Sequence, residues 1–173
     1  PGLTRARFNL AVALAGQRKL IEAEQAYRDV IARDPAYCGV WLNLGNVLTD
    51  QDKLDAAVAA YRSGLGTEPG NAGLHSGLGA ASYRQGRLRD AIQHYRRAIA
   101  LDPVNLAPQR LLAMVLHEAG ERDEAVRIYR QVSARDPSDH VILNNLGACL
   151  FELGEVDDAI ACAELALAIK PDH

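Results

Sequence analysis

Residues 38–71 read CGVWLNLGNVLTDQDKLDAAVAAYRSGLGTEPGN, and two helices with a turn between them can be read from this stretch alone. Leu44, Val47 and Leu48, then Leu54, Ala57, Val58, Tyr61 and Leu65, recur at three- and four-residue spacing, which puts each set on one face of a helix. The acidic cluster from Asp50 to Asp55 is the polar turn between them. Glu68-Pro69 ends the second helix, because a proline disfavours helical backbone in the residue before it.

Pro69 is one of five prolines, with Pro35, Pro103, Pro137 and Pro171, that stand 34 residues apart. With proline at place thirty-two of each unit, other columns align. Place eight holds Ala11, Gly45, Gly79, Ala113 and Gly147, and place twenty holds Ala23, Ala57, Ala91, Ala125 and Ala159. Small residues there allow the two helices of a unit to approach closely. Place twenty-four holds Tyr27, Tyr61, Tyr95 and Tyr129, then Ala163 against the pattern. Gly86, Gly120 and Gly154 at place fifteen supply the left-handed residue that ends a first helix. Asn71, Asn105 and Asp139 sit where the next helix needs an N-cap.

A 34-residue unit with small residues at places eight and twenty, an aromatic at twenty-four and proline at thirty-two resembles the tetratricopeptide repeat (TPR). Unit two carries the fullest signature, in Trp41, Leu44, Gly45, Leu48, Ala57, Tyr61 and Pro69. The resemblance implies an all-α fold, a right-handed superhelix (α-solenoid) of five helix-turn-helix units at 4–37, 38–71, 72–105, 106–139 and 140–173, in a single array over 1–173. In such arrays each repeat contacts only its neighbours and no single globular core forms.

Composition agrees with close-packed helices: 49% of the 173 residues are apolar and only 5% aromatic. No apolar run approaches the ~20 residues of a membrane span, so the sequence gives no support for membrane insertion or a signal peptide. Cys38, Cys149 and Cys162 are odd in number and show no CxxC spacing. They read as reduced, small apolar residues, which favours a reducing, cytoplasmic setting. The net charge of −3 conceals a gradient of +2, −2, +3, −1 and −5 over the five repeats, able to orient a charged ligand along the array.

Several fragments imitate active sites and fail on context. Gly77-Leu-Gly79 lies inside a first helix with no strand before it, so it is no dinucleotide loop. His117-Glu118 is followed by Glu121 where a zinc-protease motif needs a second histidine. The Asp50 to Asp55 cluster lacks the glycine and terminal glutamate of a calcium loop. The five histidines fall at unrelated places. The sequence therefore reads as a non-enzyme with no cofactor and no metal. Nucleic acid is disfavoured, because the total charge is acidic and no basic or aromatic pair recurs at one place.

The resemblance implies that first helices line a concave face, with ligand contacts at places two, five, six, nine, twelve and thirteen. This maps candidate partner-binding residues onto Asn9, Asn43, Asn46, Tyr83, Arg84, Arg110, Met114, Asn144 and Asn145, with Ala148 and Phe151 alongside. A protein or peptide ligand suits this mixture of amides and apolar anchors. A clamp for chaperone C-terminal tails is not expected: Asn46 fits, but Leu42 and Gly77 stand where that clamp needs lysine and asparagine. Asn9, Asn43 and Asn145 match part of the asparagine ladder of arrays that precede O-linked N-acetylglucosamine transferases, while Gly77 and Leu111 break it.

The leading expectation is thus a scaffold whose concave groove binds an extended peptide or partner helix. The alternatives are the targeting arm of a larger enzyme such as a glycosyltransferase, and a scaffold that associates end to end. For the last, the helix around residues 159–169 is apolar nearly all round and lacks the polar outer face of a terminal repeat. Ile160, Ala163 and Leu167 are the candidate self-association residues. Six glycines between Gly64 and Gly79 mark either close packing or a bend point between repeats two and three.

Overall fold

A computed structural model of the chain describes residues 2–171. Among these residues there are ten helices and no strand. They pair as α1 (Gly2–Gly16) with α2 (Leu20–Arg33), α3 (Val40–Asp50) with α4 (Leu54–Thr67), α5 (Ala72–Arg84) with α6 (Leu88–Leu101), α7 (Leu106–Glu118) with α8 (Arg122–Arg135), and α9 (His140–Glu152) with α10 (Val156–Ile169). The fold class is all-α, built from helix-turn-helix repeats. The helices fall into two compact units, one ending at Leu101 and the other beginning at Asp102, where the repeat register draws one array.

Local chemistry sets the ends of the helices. Place fifteen is left-handed in all five repeats: Gly86, Gly120 and Gly154 have φ of 72°, 82° and 82°, and Arg18 and Asp52 adopt φ of 60° without being glycine. Side-chain oxygens of Asn71, Asn105 and Asp139 accept from the backbone N–H groups of Leu74, Ala107 and Val141, satisfying donors that a helix start leaves open.

The α3 helix departs from the register. It begins at Val40, two residues later in its repeat than α5, α7 or α9, and its N-cap Gly39 is left-handed at φ 74°. The equivalent of the asparagine cap is Tyr37, whose ring packs 5.0 Å from that of Phe8 instead. The missing acceptor comes from Glu68 at the end of α4, whose carboxylate takes the Gly39 N–H at 3.0 Å. That hydrogen bond, with one from Asn71, holds the Glu68 carboxyl below its ordinary range.

In the first unit the core is organised around the place-twenty-four tyrosines. Tyr27, Tyr61 and Tyr95 are at most 2% exposed, and burying each large ring contributes roughly 1.5–3 kcal/mol. The glycines of places eight and six make way for them. A Cβ on Gly79 would come within 2.8 Å of the Tyr95 ring, and one on Gly77 within 2.5 Å of Tyr61. Gly64 and Gly73 also sit tight, against Trp41 and Leu74 and against Leu42 respectively, whereas Gly66 and Gly70 face open space. Close packing therefore accounts for three glycines of the cluster that the repeat pattern does not ask for.

In the second unit Tyr129 is 1% exposed, with Val132, Leu116 and Leu150 buried. Gly147 on α9 abuts α10, where an added Cβ would lie 3.3 Å from the Ala159 carbonyl oxygen and 3.4 Å from Cys162.

Candidate functional site

The expected site residues divide by what their side chains already hold. In the first unit, Asn46 is solvent-exposed but its Oδ1 accepts from the Tyr61 hydroxyl at 2.8 Å. Arg84 donates to the Thr49 carbonyl and pairs with Asp52 at 2.9 Å. Tyr83 is half-buried and engaged within the chain. Asn9 is exposed and Asn43 half-buried. Among the described residues neither amide side chain has a hydrogen-bond partner.

In the second unit, Arg110 joins two carboxylates, Asp136 at 2.5 Å and Asp139 at 3.0 Å, and so braces the turn that Asp139 caps. Met114 and Asn145 are half-buried, and Asn144 is exposed. Arg84 and Arg110 are thereby occupied within the fold, a use that single-sequence place counting could not distinguish from a ligand contact.

An open apolar concavity lies on the last repeat. Between α9 and α10 a groove of about 470 Å³ is lined by Gly147, Ala148, Phe151, Val156, Ile160 and Ala163, with Asn144 at its rim. Phe151 is 66% exposed, Ile160 53% and Val156 46%. Alanine at position 163, where the other repeats place tyrosine, is what leaves the space. Leu167, one turn beyond Ala163 on the same helical face, is 50% exposed but outside the lining. Ile160 and Ala163 thus come together with Asn144, Ala148 and Phe151 in one place.

Val156 and Gly147 were not among the expected site residues. The signal was present at place seventeen, where Leu20, Leu54 and Leu88 are apolar and half-buried; Arg122 interrupts that column in repeat four, and Val156 resumes it but is exposed.

Burial pushes the Cys149 and Cys162 thiols up from their ordinary value, which disfavours the reactive thiolate. Among the described residues no three metal-ligating side chains converge, and no helix is long and apolar enough to cross a membrane.

Helix pairs of this length, with a glycine or alanine at place eight in every pair and a buried tyrosine at place twenty-four in four of the five, define a helical-repeat protein. Family models described as tetratricopeptide repeat match residues 5–33, 42–105, 82–141 and 116–173, and the chain belongs to the tetratricopeptide repeat family. No protein of curated function matches it. Among solved structures it is similar to MamA, at 23% identity over 97% of this chain and 92% of that one with a TM-score of 0.86. It is also similar to YrrB, described as a TPR protein with an unusual peptide-binding site, at 22% identity over 96% and 86% with a TM-score of 0.81. PilF of Pseudomonas aeruginosa matches at 18% identity over 96% and 76% with a TM-score of 0.85. At these identities the likeness establishes the fold.

Proposed function

We propose that the protein is a non-enzymatic protein-interaction scaffold that seats an apolar helical segment of a partner in the α9/α10 groove. The observation that carries this reading is the exposed Phe151, Ile160 and Val156 around a floor of Gly147 and Ala163. Contiguous exposed apolar surface of this kind marks an interaction site, and small floor residues let a helix lie close, as helix-in-groove recognition requires. YrrB, a TPR protein with a peptide-binding site, lends the reading support from the same fold.

The test is binding of displayed amphipathic-helix peptides to the whole chain and to Phe151→Asp and Ile160→Asp variants. Both positions are more than half exposed, so helicity should be unchanged while affinity falls at least tenfold, the order expected when an apolar anchor worth 1.4 kcal/mol or more is lost (~10-fold per 1.4 kcal/mol). Peptides that bind the variants as well as the parent would end this reading.

A second reading, an extended peptide held by amides on the first helices, keeps a specific support in Asn9 and Asn43, whose side chains have no partner among the described residues. Amide side chains of that kind can pair with the backbone of an extended strand.

A further inference from the structure

We infer that the occupant of the α9/α10 groove is α1 of a second copy of this chain, docked head to tail. The inference rests on the groove being a docking site and names what fills it.

Places three, seven and ten of a first helix are buried as Leu74, Leu78 and Ala81 in repeat three and as Ile142, Leu146 and Cys149 in repeat five. The same places in repeat one are Ala6, Leu10 and Ala13, all exposed, with Leu10 at 55%. The α1 helix thus carries the face that an internal first helix turns toward the preceding repeat, and nothing among the described residues lies on it. The groove is the reciprocal surface. In the joint between α4 and α5, the place-six Gly77 lies on the place-twenty-four Tyr61, and the place-three Leu74 on the place-twenty-seven Gly64. Carried to the end of the chain, that geometry sets Asn9 over Ala163, a larger side chain on a smaller one, and Ala6 over Ala166, alanine on alanine.

Polar pairs at the internal joints fix the register further. Gln85, place fourteen, donates to Asp55, place eighteen of the preceding repeat, at 2.8 Å. The docked pair at those places is again glutamine and aspartate, Gln17 with Asp157. Arg130, place twenty-five, pairs with Glu155, place sixteen of the following repeat, at 3.2 Å. The docked pair there is Glu164 with Lys19, the same contact with its charges exchanged. Repeat one carries +2 and repeat five −5, so the two surfaces attract at long range as well. A contact between unlike surfaces is heterologous and continues from copy to copy unless a ring closes.

Sedimentation equilibrium of the whole chain decides the matter. The mass of the parent should rise above monomer with concentration and fall back as salt is raised, since exposed charge pairs are screened. Leu10→Glu spoils α1 and Ile160→Glu spoils the groove, both at exposed positions, and each variant alone should remain monomeric. Mixed in equal amounts, the two should form a one-to-one dimer, because one still has an intact groove and the other an intact α1. Glu164→Lys should weaken self-association at least tenfold and Lys19→Glu in the same chain should restore it. Association abolished by Ile160→Glu but untouched by Leu10→Glu would mean groove against groove and overturn the assignment of α1. A parent that stays monomeric while amphipathic peptides still fill the groove would overturn the second copy and leave the docking site standing.

Discussion

The Tyr61 hydroxyl donates to the side-chain oxygen of Asn46 at 2.8 Å, so a position that the repeat register assigns to ligand binding is part of the fold's own support. The same hydroxyl lies 3.2 Å from the Thr49 hydroxyl, and the tyrosine is 1% exposed. Asn46→Ala should therefore cost about 1–2 kcal/mol, the penalty for weakening the satisfaction of a buried polar group. Asn43→Ala, whose amide has no partner among the described residues, should leave stability within ~0.5 kcal/mol and weaken an extended peptide if the amide reading holds. Urea denaturation with peptide titration on both variants separates the two roles; equal stability of both would remove the structural one.

Glycines of the first unit should respond to alanine with opposite signs. Gly45 and Gly77 lie against the Tyr61 ring so closely that an added Cβ would overlap it, and each substitution should destabilise by about 1–3 kcal/mol. Gly66, inside α4 with open space around it, should instead gain up to ~1 kcal/mol as alanine. Because Gly64, Gly73 and Gly77 are held by Trp41, Leu74, Leu42 and Tyr61, amides from Ser63 to Ala80 should be as protected from hydrogen exchange as the matching positions 29–46. Faster exchange confined to 63–80 would favour the bend point over packing.

Glu24 links repeats one and two, accepting from Lys53 at 2.7 Å and Gln51 at 2.9 Å as well as from Arg28 in its own helix. Burial alone pushes its carboxyl up, but the hydrogen bonds from Lys53, Gln51 and Arg28 outweigh it and bring the pKa from 4.5 down to about 2. A depressed folded-state pKa gives stability that is complete above the unfolded value and lost as pH falls through the folded one. Glu24 should thus contribute fully above pH 4.5 and progressively less toward pH 2. Glu24→Gln should lower stability by about 1–2 kcal/mol near neutral pH and flatten its fall across that window. Parallel acid curves for parent and variant would show that Glu24 does not drive it.

Much of this protein is legible without coordinates because its rules are local and periodic. The 34-residue spacing of the prolines, the small residues at places eight and twenty and the buried tyrosine at twenty-four concern helix ends and faces, which depend on neighbours a few residues away. The left-handed glycines and the caps Asn71, Asn105 and Asp139 follow from the same short-range chemistry, and so does the bareness of the last helix around Ile160 and Ala163. Tertiary structure alone decided what each exposed-looking polar group holds. Glu68 reaches back to accept from Gly39 at the start of α3, Asn46 serves Tyr61, and Arg84 and Arg110 are taken by Thr49, Asp52, Asp136 and Asp139. Each of those partners lies well outside the few residues that a helical period relates. Periodicity assigns a side chain to a face; only the packing of one helix on another determines which group it meets there.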